Sequence, residues 1–136
     1  SCGFPEKYIE SVEQRLTIYR RLSRINNISD IKDMQKELID RYGKMPKPAE
    51  NMLLKIMLRV YCIRAGVQKL DVSPDILVIS FSSQHRPDIL TELPERIKDY
   101  SSFEFVNKNT FRFRLGHKKN NISRALLETK GILAKL

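Results

Sequence analysis

The chain has 136 residues, 41% of them hydrophobic, and a formal charge of +9 from 25 basic and 16 acidic side chains. That length suits one domain, or two small halves sharing a core, and buries roughly two thirds of its unfolded surface without staples. With only Cys2 and Cys62 there is no disulfide framework, and no long uncharged apolar run offers a membrane span.

Two lone cysteines and no secretory signal fit a reducing cytoplasm. The excess of positive charge points to a polyanionic neighbour, or only to a solvated basic surface. The chain opens Ser-Cys-Gly rather than with methionine, so an excised fragment of a longer protein is expected.

Residues 4–10 read as extended, with Phe4, Tyr8 and Ile9 as anchors on the core. Residues 11–26 have helical spacing, with Val12, Leu16, Ile18, Tyr19, Leu22 and Ile25 on a wide apolar face. Arg15 falls inside that face, while Arg20, Arg21 and Arg24 fall outside it. A cation in an apolar stripe needs a partner or a route to water, and Glu37 and Asp40 are the candidate partners. Ser29 is the expected N-cap of a second helix over residues 30–42. Its core face is Ile31, Met34, Leu38 and Tyr42. Its other face carries Asp30, Asp33, Glu37 and Asp40, whose i, i+3, i+7, i+10 spacing makes one acidic stripe. Acids near a helix N-terminus complement its dipole, which explains Asp30 and Asp33 but not Glu37 and Asp40. Pairing with Arg41 or Arg15 is the bland explanation for those two. Gly43 ends the helix, and Pro46 and Pro48 stiffen the turn that follows.

Residues 48–65 form the central helix, opened by Pro48 and stopped by Gly66. It is apolar nearly all round, so it needs cover on more than one side. Only Asn51, Lys55, Arg59 and Cys62 make a narrow strip expected to face water. Beyond Gly66 the period becomes that of strands: residues 67–72 and 76–81 around Ser73-Pro74-Asp75. Residues 82–86 are polar loop. Residues 87–100 read as a helix with Ile89, Leu90, Leu93 and Ile97 inward, kinked or divided at Pro94. A second hairpin pairs residues 103–106 with 110–115. There Phe111, Phe113 and Leu115 alternate with Arg112 and Arg114. Residues 121–136 form a last helix with Ile122, Leu126, Thr129 and Leu133 on one row.

The order is three helices, then ββαββα. The predicted fold is α+β: a helical half over residues 1–66 and a half over 67–136 with a small, mostly antiparallel sheet.

No GxxxxGK[ST] or GxGxxG phosphate loop is present, and no nucleophile elbow. His85 and His117 stand apart from the cysteines, which argues against zinc. Glu37 and Asp40, exposed on a helix far from any evident pocket former, are poor acid/base candidates. No catalytic residue, metal ligand or cofactor is therefore expected. The nucleic-acid alternative rests on His117, Lys118, Lys119 and Arg124, clustered around the start of the last helix where charge and free N–H groups suit a phosphate. The phenylalanines beside Arg112 and Arg114 point away from them by alternation, so they read as core rather than a stacking platform.

Three segments together resemble one family: Pro5-Glu6-Lys7-Tyr8-Ile9 leading into Arg15-Leu16, then Ile18-Tyr19-Arg20-Arg21-Leu22, then Glu37-Leu38-Ile39-Asp40-Arg41-Tyr42-Gly43 with Pro46. The chain is similar over residues 4–72 to the C-terminal domain of the bacterial transcription-repair coupling factor (Mfd). Tyr42 stands where phenylalanine is usual, and the last third diverges. The resemblance implies a non-catalytic part of a large DNA translocase whose ATPase motifs lie upstream. It implies that this domain packs on a UvrB-like N-terminal module of the same polypeptide and masks the surface needed by UvrA. RNA polymerase and UvrA would then be partners only through the parent protein. The same resemblance places Glu37 and Asp40 at the contact, facing arginines of the module, with Asp33 and Asp30 assisting. The rival is a DNA-contacting module built on Lys118, Lys119 and Arg124. No membrane partner is expected, and a cytoplasmic location is.

Overall fold

The computed structural model describes residues 2–82, 84, 86–98 and 102–136. The chain packs as two units, Ser1–Val60 and Tyr61–Leu136. The expected loop residue His85, the continuation of the fourth helix through residues 99–100 and the inward placement of the Leu90 side chain fall outside the described residues.

In the first unit the N-terminal segment is a turn, not the extended run expected. The N–H groups of Tyr8 and Ile9 both donate to the Pro5 carbonyl, at 2.9 and 3.1 Å. Proline's fixed φ starts such a turn. The anchors are as expected: Phe4 and Ile9 are buried, and the Tyr8 hydroxyl donates to the carbonyls of Leu38 and Gly43.

Helix α1 (Val12–Ser23) is capped by the Ser11 hydroxyl, which accepts from the Gln14 N–H. Ile18 and Leu22 are buried, but Val12 and Leu16 are 58% and 48% exposed. At 100° per residue they lie roughly 120° and 160° round from Ile18, so the buried stripe is narrower than the apolar face. Helix α2 (Ile28–Tyr42) starts two residues earlier than expected. Asn27, not Ser29, caps it, its Oδ1 accepting from the Asp30 N–H at 2.8 Å. The earlier start brings Ile28 into the helix, where it packs against the core. Gly43, at φ +86, ends the helix in a conformation that favours glycine.

Helix α3 (Lys47–Ala65) runs through the boundary between the units. Its expected water-facing strip is mostly not in water. Asn51 is buried, and Cys62 is partly buried. Arg59 donates to the carbonyls of Leu22 and Ile25, at 3.1 and 2.8 Å, satisfying groups at the open end of α1. Lys55 alone of the four is exposed. Apolar Ile63 is 69% exposed instead.

The second unit holds β1 (Val67–Val72), β2 (Ile76–Phe81), α4 (Ile89–Arg96), β3 (Phe103–Asn107), β4 (Thr110–Arg114) and α5 (Ile122–Ala134). The four strands form one antiparallel sheet in the order β1-β2-β4-β3. Alternation works as expected: Leu77, Ile79, Phe81, Phe111 and Phe113 are buried, while Arg112 and Arg114 are exposed. Helix α4 runs unbroken through Pro94. Ile89, Leu93 and Ile97 are buried. In α5 the buried row is Ala125, Leu126, Thr129, Ile132 and Leu133, with the Thr129 hydroxyl donating to the Ala125 carbonyl. The fold is α+β.

Candidate docking surface on the second helix

Burial of Ile31, Met34 and Leu38 sets the rotation of α2 and turns its opposite side to water. Asp30, Asp33 and Asp40 are exposed there, and the Glu37 side chain, on the flank nearer α1, is one third exposed. Glu37 is gripped at two points: Arg21 donates from Nη1 to Oε2 at 2.6 Å and from Nη2 to Oε1 at 2.8 Å. Arg41, one turn on, adds a longer contact at 3.4 Å. The hydrogen bonds from Arg21 hold the Glu37 carboxyl below the usual carboxylate range, and the same bonds raise Arg21.

Arg15 pairs with neither Glu37 nor Asp40, contrary to expectation. It reaches back to the Ile9 and Glu10 carbonyls, at 2.5 and 3.3 Å. A short route to carbonyls satisfies the guanidinium without crossing to α2. The arginine of α1 that meets Glu37 is Arg21, which lies outside that helix's apolar face. Helices α1 and α2 are offset so that Tyr42 donates to Gln14 and Arg21 reaches Glu37. Neither helix's periodicity encodes that offset.

The four acids are therefore not equivalent. Asp30 accepts from the Asn27 side-chain amide at 2.8 Å and belongs to the cap. Glu37 has two arginines. Among the described residues no ion pair within 4.0 Å involves Asp33 or Asp40.

The rival basic residues are also exposed. Lys118 and Lys119 are exposed in the segment before α5, and Arg124 is exposed in its first turn. His117 is drawn off to Glu128, its Nε2 lying 2.8 Å from Oε1. Arg112 pairs with Glu104. Asn121 makes no side-chain cap bond at the start of α5. Among the described residues no group of three or more His, Cys, Asp and Glu could hold a metal ion, and no helix is long and apolar enough to cross a membrane.

A three-helix unit followed by an antiparallel ββαββα unit, with an acidic edge on its second helix, defines a small α+β domain whose visible chemistry lies in charged surfaces. The TRCF domain model matches residues 1–91, and the chain belongs to that family. It is similar to the transcription-repair-coupling factor of Escherichia coli K12, 31% identical over 81 residues, which is 60% of this chain and 7% of that protein. It is similar to the Bacillus subtilis 168 factor, 28% identical over 129 residues, 93% of this chain and 10% of that protein. The Rickettsia prowazekii factor is 24% identical over 109 residues, 80% and 10% respectively. The chain thus spans a tenth or less of the length of these curated relatives. A solved structure described as the C-terminal domain of transcription-repair coupling factor covers 98% of this chain and 87% of its own, with a TM-score of 0.78 at 21% identity. The common fold therefore extends well beyond residues 4–72, where the family's segments are legible in the sequence.

Proposed function

We propose that this chain is a non-catalytic regulatory domain that docks on a UvrB-like N-terminal module of the same polypeptide and masks its UvrA-binding surface. The observation that carries this is the unpaired negative charge of Asp33 and Asp40, exposed on one rigid helix of a chain whose net charge is +9. A basic partner surface would find its complement there. Glu37 contributes by sharing its carboxylate among arginines, while Asp40 offers a carboxylate with no ion pair within 4.0 Å among the described residues. Asp33 and Asp30 extend the edge. Through such a contact UvrA and RNA polymerase would be partners of the parent protein rather than of this domain, and the parent's translocation on DNA would need motifs from elsewhere in its chain.

Weak pairing is sufficient for a tethered contact. One exposed ion pair contributes about 0–1 kcal/mol. A tether raises the effective concentration to the order of millimolar, where about −4 kcal/mol already half-closes the contact. A few charge pairs together with modest apolar contact reach that level and still release when a partner competes.

The test is double charge reversal, Glu37→Lys with Asp40→Lys, in the full-length protein. UvrA binding should rise while the circular dichroism of the isolated chain stays unchanged. Unchanged UvrA binding with an intact fold would remove these two acids from the contact.

A further inference from the structure

We propose a second docking surface on the helical unit, of opposite polarity: a basic groove that takes an acidic peptide segment carrying one apolar side chain. It does not depend on the acidic edge of α2. It uses the Pro5-Glu6-Lys7-Tyr8-Ile9 segment and Pro46, which the sequence singles out and the α2 surface leaves unused.

The groove lies between the N-terminal turn and the start of α3, with a volume of about 680 Å³. Its apolar lining is Pro5, Tyr8, Met45 and Pro46. That lining is held in place. Two of the four are prolines with fixed φ. Met45 is buried. The Tyr8 ring packs 5.8 Å from Tyr42, and its hydroxyl is bound to the carbonyls of Gly43 and Leu38. The Gly3 N–H donates to the Pro48 carbonyl, tying the N-terminal strand of chain to α3. A wall already ordered costs little more to order on binding.

Three lysines complete the lining: Lys7, Lys44 and Lys47, all exposed. Glu50 is the one carboxylate, 3.6 Å from Lys47. Among the described residues no ion pair involves Lys7 or Lys44. The groove therefore keeps a net charge of +2, three lysines less one glutamate. Cations on flexible stems around a rigid apolar floor complement a chain that alternates carboxylates with one aromatic or aliphatic side chain. The apolar floor favours such a peptide over duplex nucleic acid, whose outer surface is phosphate.

The experiment titrates the 136-residue chain with a fluorescein-labelled hexapeptide, Asp-Glu-Phe-Asp-Glu-Asp, reading anisotropy at two salt concentrations. Saturable binding is expected, weakened by about tenfold or more in a Lys7→Glu/Lys44→Glu variant. Replacing the peptide's phenylalanine by alanine should weaken binding by about tenfold or more, as loss of a buried ring requires. A Lys118→Glu/Lys119→Glu variant should bind as the parent does. Circular dichroism confirms that the variants fold, and Lys7→Gln/Lys44→Gln gives the same comparison with a smaller charge change. Equal loss in the Lys118/Lys119 variant, or indifference to the phenylalanine, would reduce the effect to bulk charge and overturn the proposal. So would a duplex DNA probe that binds more tightly than the peptide and depends on Lys7 and Lys44. The readout does not involve UvrA, so its failure leaves the α2 contact standing, and the converse holds.

Discussion

Helices α2 and α3 each carry a polar strip, beside a narrow apolar stripe on α2 and along an almost wholly apolar α3, and the two strips have different fates. On α2 the strip is wide, built of four carboxylates, and it stands in water or at its edge. On α3 the strip is one residue wide at each turn, and three of its four members are drawn in: Asn51 is buried, Arg59 caps two carbonyls, and Cys62 is partly buried. Periodicity decides exposure when a polar face is broad and charged, because dehydrating several carboxylates together costs more than packing returns. A narrow strip of neutral or long side chains can be absorbed by neighbours that supply hydrogen bonds or cover.

The sharpest way to break this contrast is to remove what orients α2. Leu38 is fully buried beneath the acidic edge. Leu38→Ala should lower the unfolding free energy by about 2–5 kcal/mol in urea denaturation. A loss near zero would mean that the apolar stripe does not fix the helix's rotation.

Next comes the absorbed strip of α3. Burial raises the Cys62 thiol to about 11 from an ordinary 9.0. At pH 8 its thiolate is then about 100-fold scarcer than in the unfolded chain. Iodoacetamide should therefore label Cys62 at least that much more slowly in native protein than in urea, resolved by peptide mass mapping. The raised value also signs the alkaline limb. It leaves stability untouched below pH 9, and stability falls as pH climbs from there toward 11, where the unfolded thiol ionises first. Fast native labelling would return Cys62 to the water-facing strip.

The smallest effect lies at the flank of α2. Arg21→Gln removes the two-point grip on Glu37, and since both side chains are partly exposed the loss is at most about 1 kcal/mol at neutral pH. Glu37's folded pKa is depressed below 4.5, so its contribution is present above that value and disappears as pH falls through the lower folded one. The stability gap between parent and Arg21→Gln should accordingly be seen at pH 7 and close as pH falls through the lowered folded value. A gap that persists in acid would assign Arg21 to packing rather than to this pair.

Much of the fold was legible because each element announces itself locally. Gly43 and Gly66 adopt the positive φ at which their helices stop. Ser73-Pro74-Asp75 turns between two strands, and Phe111 and Phe113 alternate with arginines as a half-buried strand must. The candidate surface was legible in part: the phase of α2 puts its four acids on one side whatever surrounds them. Which acid is already paired was not. Arg15 sits nearer the stripe by phase yet turns to the Ile9 carbonyl, and Arg21 reaches Glu37 through a helix offset. The N-cap moved from Ser29 to Asn27 for a related reason, since both residues cap well and the packing of Ile28 distinguishes them.

The amino-acid sequence on its own determined the order of elements, the antiparallel habit of the hairpins, the acidic side of α2 and the basic cluster before α5. These follow from repeat lengths of two and 3.6 residues and from chain stops, which need no distant partner. Tertiary structure alone decided that Glu37 is shared by two arginines while Asp40 is left without one, that α3 absorbs its polar strip, and that Lys7, Lys44 and Lys47 meet around one floor. Those outcomes depend on which side chains the folded backbone brings within a few ångströms, and separation along the chain carries no record of that distance.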